Sequence, residues 1–490
     1  MSLAELTSTP EVVVLGGGPA GTAAARLLAA WNHRVQLVSK PASGGGLAVS
    51  LPPSCIKLFD AVGMTSAIHR ASFIRSTGNT VWWGSDAPRV EMFQAGALGW
   101  QVDLAHLASV LLDEAVRAGV SVERQVVLDS ALPPGSAGAR LVRRSPKGGG
   151  GSAKADLVLD CTGRAGVIAK EKGVREYDAG PRTIALVGEW RTGRAWVVPD
   201  DTHTIVESYG DGWMWSVPVA PGVRHVSAMV DPQRSDLARG GSSRDVYRAE
   251  IAKTRQFTRL LADATLTGGP WGHDASTYRS REYAGAGWLL VGDAGSFIDP
   301  LSSAGVQKAL AAAWLAAVVA NTCLRTPSMQ PHALAFFSAR EREIEQRYNE
   351  ASRHFLTEAA REHRQPFWAD RHLEPAAPAG EAERVRAAYE RVRSHDTFKT
   401  RAGDQIRIGP RPYVAGHEIM LGPHVVTGDD DSGVRYLYNI DLPALLELAP
   451  AAGGVPQLFE AYVRRHGGAD LHDFLLALST AVARGWLVSE

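Results

Sequence analysis

The sequence predicts an α/β protein built on a Rossmann-type domain, with an inserted antiparallel β-sheet and a helical, winged-helix-like region towards the C-terminus. Three observations support this fold class: a glycine-rich turn between an apolar strand and an alanine-rich helix, apolar strand patterns that recur far along the chain, and an intervening segment of alternating apolar and polar residues. The chain has 490 residues, enough for two or three domains that each bury a core.

The first element is a β-branched run at residues 11–15, which has the composition of a buried strand. The turn Gly16-Gly17-Gly18-Pro19-Ala20-Gly21 leads from it into a helical pattern at residues 22–30, and residues 35–38 complete a βαβ unit. Such a turn lets the backbone approach a pyrophosphate, whose charge meets the helix N-terminus. The residues assigned to this contact are Gly16, Gly18, Pro19, Ala20 and Gly21. A tight strand–helix turn without a nucleotide is the alternative interpretation.

The end of the second strand departs from the usual dinucleotide-binding pattern. An acidic residue is expected about twenty positions after the glycine turn, where it binds the ribose hydroxyls. Ser39 and Lys40 occupy that place. We include both among the cofactor-binding residues and expect the adenosine ribose to be held in another way.

Two later strand patterns, at residues 156–160 and 288–291, are expected in the same sheet. The first ends in Asp160-Cys161-Thr162-Gly163, and the second runs into Gly292-Asp293-Ala294. An aspartate between a strand end and a helix start can hydrogen-bond the ribityl chain of a flavin. We therefore assign Asp293 to that chain and predict FAD as the cofactor.

The order of these patterns predicts the domain organisation. Residues 182–227 alternate apolar and polar side chains, as an antiparallel sheet does. The predicted domains are an FAD-binding domain at 1–180 and 275–330, the inserted substrate-domain sheet at 181–274, a long helical segment at 331–374, and a winged-helix-like module at 381–490. Residues 375–380 are the predicted linker, and the module contains three short helical patterns and a strand.

Composition excludes several classes of function. Lys+Arg and Asp+Glu both number 52, and the last helical pattern, at residues 471–484, has one Arg and no Lys, so no nucleic-acid partner is predicted. Cys55, Cys161 and Cys323 show no C-x-x-C spacing, so we assign no disulfide and no metal site. The N-terminal residues lack a signal-peptide pattern, and the most apolar helical pattern, at 309–320, is shorter than the roughly 20 residues that span a bilayer. A cytoplasmic protein without membrane contact is expected.

With these residues in place, the chain up to about residue 370 resembles the group A flavoprotein monooxygenases, whose fold is p-hydroxybenzoate hydroxylase-like, and within them the branch that contains flavin-dependent halogenases. Trp213-Met-Trp215-Ser-Val217-Pro218 is similar to the W-x-W-x-I-P signature of that branch. The run from Gly292 to Pro300, with Gly305 beyond, is similar to its second flavin motif, and Phe367-Trp368 also fits.

The resemblance implies roles for several residues. Pro300 and Gly305 are expected around the isoalloxazine ring, and Trp213, Trp215 and Pro218 are expected to wall the passage between flavin and substrate. Ordinary sheet packing would also explain the two tryptophans, which occupy alternate positions of one strand.

Departures from the halogenase pattern are equally informative. Phenol-type members carry a catalytic lysine in the frame K-x-G-x-x-x-x-W-G, and the same frame here, residues 76–84, begins with Ser76. Serine has neither the charge nor the reach of that lysine. The loop also reads Ser303-Ala304-Gly305 where halogenases tend to have serine-serine-glycine beside the halide. Halogenation is therefore disfavoured, and direct oxygen transfer from a flavin C4a-hydroperoxide to an aromatic ring is expected.

The C-terminal module suggests a large substrate. Within the family, the chain resembles enzymes that dihydroxylate a peptidyl tryptophan during tryptophylquinone cofactor biogenesis. This resemblance implies a peptide or small protein partner, with a complex with another maturation enzyme as a further option. A dimerisation module or a structural cap is the alternative for this region. The reductant is not identified, because the sequence has no second Rossmann fingerprint.

Two other functions stay open from the sequence: a halogenase whose lysine is displaced, and a flavin-binding factor that assists peptide maturation without catalysis. No general base is identified. Glu207 is the most suggestive candidate by position, although a surface strand residue is the simpler interpretation.

Overall fold

The computed structural model describes residues 11–40, 45–94, 96–124, 127–130, 139–144, 150–371, 380–394, 399–428 and 430–489. The chain forms two compact units, Met1–Glu374 and Pro375–Glu490. Of the predicted linker, residues 375–379 lie outside the described residues.

The strands of the two units, in chain order, are β1 (Val12–Leu15), β2 (Val35–Ser39), β3 (Ala48–Leu51), β4 (Ile74–Ser76), β5 (Gly78–Trp82), β6 (Arg89–Met92), β7 (Gly99–Asp103), β8 (Ser121–Arg124), β9 (Val127–Ser130), β10 (Ala139–Arg144), β11 (Gly150–Ala155), β12 (Leu157–Asp160), β13 (Arg175–Tyr177), β14 (Ile184–Arg191), β15 (Thr204–Tyr209), β16 (Gly212–Ala220), β17 (Val223–Val230), β18 (Thr265–Asp274), β19 (Tyr278–Ser280), β20 (Ala284–Gly285), β21 (Trp288–Leu290), β22 (Thr400–Ala402), β23 (Ile406–Ala415), β24 (Glu418–Thr427), β25 (Asp430–Val434), β26 (Tyr436–Leu437), β27 (Ile440–Asp441) and β28 (Leu487–Ser489).

The α-helices, in chain order, are α1 (Pro19–Ala30), α2 (Cys55–Ala61), α3 (Thr65–Arg70), α4 (Leu104–Arg117), α5 (Val167–Glu171), α6 (Ser243–Ala252), α7 (Gln256–Leu260), α8 (Gly305–Arg325), α9 (Gln330–Glu362), α10 (Pro366–Ala369), α11 (Glu381–Ser394), α12 (Leu442–Leu448), α13 (Val455–His466) and α14 (Leu471–Ala483).

A six-stranded sheet with the order β20-β21-β12-β1-β2-β8 forms the centre of the first unit. All its neighbouring pairs except β20–β21 are parallel. The four residues of β1 and of β12 are all buried, because helices cover both faces of a parallel sheet. The predicted Rossmann-type sheet is confirmed, and the carboxyl ends of its parallel strands meet at one edge, where ligands bind in such sheets.

Helix α8 is longer than the sequence analysis expected. It has 21 residues with a hydropathy of 1.3 in its most apolar window, so among the described residues it is the one helix long and apolar enough to cross a membrane. However, 78% of that window is buried inside the protein, where α8 packs against α1 and α9. Such burial is typical of the core helix of a globular domain.

The inserted sheet has seven strands in the order β18-β14-β17-β16-β15-β5-β6. The antiparallel pairing predicted for the 182–227 region is present in β14, β15, β16 and β17. The sheet also takes β5 and β6 from the earlier part of the chain, and β5 pairs with β15 in parallel. One face packs against α6 and α7, and the other carries a large aromatic cluster.

The second unit contains the three helices that the sequence predicts, as α12, α13 and α14, and these pack around Phe474 and Leu478. It also contains a three-stranded antiparallel sheet, β23-β24-β25, that the sequence analysis missed. Pro410, Pro412 and Pro423 interrupt the alternating pattern of its two long strands, and proline is rare inside sheets.

Candidate functional site

A cavity of about 550 Å³ lies at the carboxyl edge of the six-stranded sheet. Backbone of the glycine turn, one face of α4 and the ends of β2, β8, β12 and β21 surround it. Its lining residues are Leu15, Gly16, Gly17, Gly18, Pro19, Ala20, Val38, Ser39, Lys40, Ala105, Ala108, Ser109, Leu112, Arg124, Cys161, Thr162, Gly163, Ala165, Val167, Val291, Asp293 and Ala309. The two predicted ends of the nucleotide site therefore face one cavity.

The glycine turn is shaped by close approach of the backbone on one side and open space on the other. Gly16 has a φ of +106°, and a Cβ there would lie 2.2 Å from the carbonyl oxygen of Cys161. A Cβ on Gly21 would lie 1.9 Å from the carbonyl oxygen of Gly16. Gly18, the N-cap of α1, has no heavy atom within 4 Å of its Cβ position. The turn therefore leaves room for a pyrophosphate at the helix N-terminus.

The end of the cavity where the adenosine is predicted to lie is basic. Ser39 pairs in register with Arg124 at the end of β8, and both line the cavity together with Lys40. Among the described lining residues, the only carboxylate belongs to Asp293. Arg124 was missed by the sequence analysis, because its place beside Ser39 depends on the pairing of β2 with β8.

The other end of the cavity is formed by the turn that follows β21. Gly292 has a φ of +65°, and Asp293 follows it in a short 3-10 turn before α8. The Asp293 side chain remains 30% exposed, and its Oδ1 atom lies 3.3 Å from Nζ of Lys308. The structure thus brings Asp293 into the same cavity as the glycine turn.

The end of β12 is held in place by the buried carboxylate of Asp160. It accepts hydrogen bonds from the backbone N–H of Thr162 at 3.0 Å and of Ile168 at 2.7 Å. Burial raises the pKa of Asp160, and these hydrogen bonds oppose that effect. Asp160 therefore shapes the turn that carries Thr162 and Gly163 into the cavity lining.

Three predicted cofactor residues do not line this cavity, namely Gly21, Pro300 and Gly305. Gly21 acts on the turn through its contact with Gly16. Pro300 begins a 3-10 turn in which the Asp299 carboxylate accepts the Leu301 N–H at 2.9 Å, and Gly305 is the first residue of α8. Their place around the isoalloxazine ring stays a prediction.

The tryptophans of β16 belong to the aromatic cluster on the inserted sheet. Trp213 and Trp215 stack at a centroid distance of 5.0 Å, and Trp83 meets Trp213 edge-on at 6.0 Å. Trp213 is only 5% exposed, so sheet packing accounts for it. Trp215 packs at the margin of the same cluster, as does Phe297 of the loop after Asp293. The role of Trp213, Trp215 and Pro218 as a wall stays a prediction.

Ser76 lies in a closed, buried hydrogen-bond network. Its hydroxyl donates to the carbonyl oxygen of Gly78 at 3.1 Å and accepts from Nε2 of Gln101, also at 3.1 Å. The same Gln101 amide reaches the carbonyl oxygen of Thr202 at 2.9 Å and Oγ1 of Thr204 at 3.1 Å. Ser76 is 0% exposed, and the side chains in this network are neutral.

The expectation that Glu207 is a surface strand residue was wrong, since its side chain is buried. Its carboxylate accepts hydrogen bonds from the backbone N–H groups of Arg255, Gln256 and Phe257, at the start of α7. Burial raises the pKa of Glu207, and these bonds lower it. Glu207 therefore stabilises a helix N-terminus, which accounts for its burial in structural terms.

Comparisons with known proteins agree with this arrangement. Residues 88–418 match the protein family described as tryptophan halogenase. The chain is 29% identical over 326 residues to the tryptophan 2-halogenase of Chondromyces crocatus, covering 64% of this chain and 61% of that enzyme. The match thus spans less than two thirds of that relative. A flavin-dependent halogenase of Armillaria mellea is 25% identical over 364 residues, covering 69% of this chain and 72% of the relative.

Two solved structures are similar over nearly the whole chain. CmlS, a flavin-dependent halogenase, has a TM-score of 0.81 at 19% identity, covering 99% of this chain and 96% of that protein, which shows the fold. The peptidyl tryptophan dihydroxylase QhpG, essential for tryptophylquinone cofactor biogenesis, has a TM-score of 0.66 at 25% identity, covering 96% and 98%.

The open glycine turn, the helix N-terminus and the carboxylate of Asp293 are the groups that a flavin dinucleotide requires. The family match covers residues 88–418, the similar proteins include flavin-dependent halogenases, and the similar halogenase PltM is known in complex with FAD. The chain therefore belongs to the tryptophan halogenase family of flavin-dependent oxidoreductases, with FAD as its cofactor.

Proposed function

We propose that this enzyme is an FAD-dependent monooxygenase that hydroxylates an aromatic substrate. The observation that carries the proposal is the environment of Ser76, which stands where phenol-type halogenases have a catalytic lysine. Gln101 occupies the space beside it, and every polar atom of the pair is engaged in hydrogen bonds with neutral groups. No cation takes part in this network.

A displaced lysine would be needed to rescue halogenation. Lys308 is the fully buried lysine of the described chain, and its amine is engaged with Asp293 and with the carbonyl oxygen of Ser296. It lies behind the flavin motif, on a different element from the inserted sheet. This placement supports hydroxylation as the outcome of the flavin chemistry.

Bound FAD supplies the oxygen chemistry. The chain would contribute binding and orientation: the glycine turn would hold the pyrophosphate, and Asp293 would accept a hydrogen bond from the ribityl chain. The aromatic cluster contributes a dry apolar surface, with Trp215 at its margin beside the loop after Asp293. An aromatic ring held against this surface is kept away from water, which protects an oxygen transfer from competing hydrolysis.

For the substrate, we propose a tryptophan within a peptide or small protein. The similarity to QhpG, at 25% identity over 96% of the chain, supports this. We assign peptide docking to the second unit, with tryptophylquinone biogenesis as the setting and another maturation enzyme as a further partner. Buried, unpaired Cys55, Cys161 and Cys323 support a reducing compartment such as the cytoplasm.

The test uses the purified FAD-loaded protein with a chemical or enzymatic flavin reductant, oxygen and a tryptophan-containing partner peptide. We expect the tryptophan to gain the mass of one or two oxygen atoms. A matched peptide with phenylalanine in place of tryptophan is the control. No mass gain, despite reduced flavin and oxygen consumption, contradicts the proposal.

Halogenation is the competing function, since halogenases dominate the similar proteins. The same incubation with chloride or bromide separates the two outcomes: a halide-dependent product shows a halogenase. Tight peptide binding without oxygen consumption would instead indicate a non-catalytic maturation factor.

A further inference from the structure

A buried ionic group lies behind the flavin motif. Lys308, in the first turns of α8, is 1% exposed. Its amine lies 3.3 Å from Oδ1 of Asp293 and also donates to the carbonyl oxygen of Ser296. Asp293 itself lines the cavity, so this lysine stands directly behind a side chain that faces the cofactor.

A second buried carboxyl group, on α9, interacts electrostatically with this lysine. Glu341 is 0% exposed, and within the described chain neither of its carboxylate oxygens has a hydrogen-bond partner. Burial raises its pKa to about 7, while the charge of Lys308 lowers it and that of Asp293 raises it. Lys308 therefore interacts electrostatically with two acidic side chains that come from different elements, and it is within ion-pair distance of Asp293.

We propose that Lys308 is a positioning residue for FAD, which fixes the carboxylate of Asp293 towards the cavity, with Glu341 as its second acidic neighbour. The proposal rests on the assignment of Asp293 to the ribityl chain. It holds equally for hydroxylation and halogenation, because it concerns cofactor binding only.

Two physical effects support this role of Lys308. An ion-paired carboxylate has a fixed orientation, and Oδ1 on the lysine leaves Oδ2 free to accept a hydroxyl hydrogen bond. Lys308 also offsets the negative charge of Asp293, which would otherwise be held beside the buried Glu341 and near the FAD phosphates. Removal of the cation would leave Asp293 both misoriented and electrostatically unfavourable next to an anionic cofactor.

The test is a titration of deflavinated protein with FAD, followed by flavin fluorescence and the visible flavin spectrum. We expect Lys308→Met to raise the Kd for FAD about tenfold or more, with Asp293→Asn giving a similar loss. The double variant should bind FAD almost as tightly as the weaker-binding of the two single variants, because both changes break one coupled unit. Gln307→Ala, on the same helical turn but directed to Ser54, is the matched control and should bind FAD normally.

The possible outcomes separate the two assignments. Normal FAD affinity in Lys308→Met, together with weakened binding in Asp293→Asn, overturns the role of Lys308 and leaves that of Asp293 intact. Normal affinity in both overturns both. Additive losses in the double variant also contradict the proposal. Should Lys308→Met fail to fold, Lys308→Gln keeps a donor for Ser296 without the charge, and it must show the same weakened binding.

Discussion

The side-chain amide of Gln101 donates a hydrogen bond to the hydroxyl of Ser76 across 3.1 Å, in a region with no access to solvent. Gln101 belongs to β7 and Ser76 to β4, two strands of one small antiparallel sheet. The position that the resemblance assigns to the halogenase lysine therefore holds a paired, neutral polar group, and we predict that a single substitution does not recreate a lysine site.

Ser76→Lys is expected to destabilise the protein and to give no halide-dependent product. The new ammonium would replace a small buried hydroxyl among neutral groups, and an unpaired buried charge costs several kcal/mol, roughly 3 or more. Chemical denaturation and product analysis with bromide measure the two effects. Ser76→Ala serves as control, with a loss of about 1 kcal/mol and hydroxylation retained. A stable Ser76→Lys protein that brominates its substrate would refute our interpretation of this site.

Glu207→Ala should lower stability without abolishing chemistry. The substitution leaves the backbone N–H groups of Arg255, Gln256 and Phe257 without their acceptor, at a cost of roughly 2–3 kcal/mol. Glu207→Gln retains an acceptor oxygen and should lose less. Urea unfolding and product formation well below the melting temperature provide the comparison. If Glu207→Gln were stable but inactive, Glu207 would have to be a catalytic base after all.

Two glycines of the first turn should respond differently to alanine. Gly16→Ala forces a Cβ against the Cys161 carbonyl at a positive φ, so we expect a loss of about 2 kcal/mol or more in stability together with loss of FAD. Gly18→Ala meets no protein atom and should fold normally, but its methyl group would occupy the approach of the pyrophosphate. Melting temperatures and bound flavin absorbance distinguish the two. Normal flavin content in Gly18→Ala would place the pyrophosphate elsewhere.

The basic adenosine end predicts that charge changes there alter cofactor affinity in opposite directions. Arg124→Gln removes a cation from the cavity lining and should weaken FAD binding by roughly three- to tenfold. Ser39→Asp supplies the missing ribose acceptor and should strengthen binding by a similar factor. Fluorescence titration gives both Kd values, with Lys57→Gln, outside the cavity lining, as a neutral control. Weaker binding by Ser39→Asp would show that the ribose does not reach this strand end.

Stability should decrease as pH rises through neutrality because of Glu341. Its ordinary pKa of 4.5 is raised to about 7 in the fold, so the folded protein binds a proton that the unfolded chain releases. The contribution is present below pH 4.5 and is lost as pH rises to about 7, by roughly 3 kcal/mol. Lys308, Asp293 and Tyr283 are the ionisable groups that interact with it. Melting curves at pH 5 and pH 8 should differ less for Glu341→Gln than for the wild type; equal differences would assign the pH dependence to other groups.

Most of the parallel sheet could be predicted because β1, β12 and β21 are apolar runs that lead into a glycine or aspartate turn. Strand β8, which has the sequence Ser-Val-Glu-Arg, carries no such pattern and was missed. The inclusion of β5 in the inserted sheet could not, since its pairing with β15 joins segments far apart in sequence. Arg124 was missed for the same reason: only the register with Ser39 brings it to the cavity. The burial of Glu207 was misjudged, because the alternating pattern of a strand does not reveal that helix α7 begins beside the carboxylate.

The absence of a lysine at position 76 could be read from the sequence, but the hydrogen-bond network around Ser76 could not. Gln101 lies on a strand with no motif, and its partners come from two separate segments, Ser76 and the residues Thr202 and Thr204. The pairing of Lys308 with Asp293 likewise follows from the helical geometry of α8, where a lysine near the helix start is usually solvated.

Helix α9 has 33 residues and passes both parts of the active region. Glu341 interacts electrostatically with the buried Lys308, whereas the backbone carbonyl oxygen of Phe355, about 20 Å further along the axis, accepts the indole N–H of Trp83 in the aromatic cluster. One helix is thus coupled both to the surroundings of Asp293, where the cofactor is predicted, and to the aromatic cluster, where the substrate is predicted. A ligand that shifts α9 when it binds at one end changes the affinity for the ligand at the other end. Thermodynamic linkage requires each ligand to change the affinity for the other by the same factor. The affinities for cofactor and for substrate would then both depend on the position of α9.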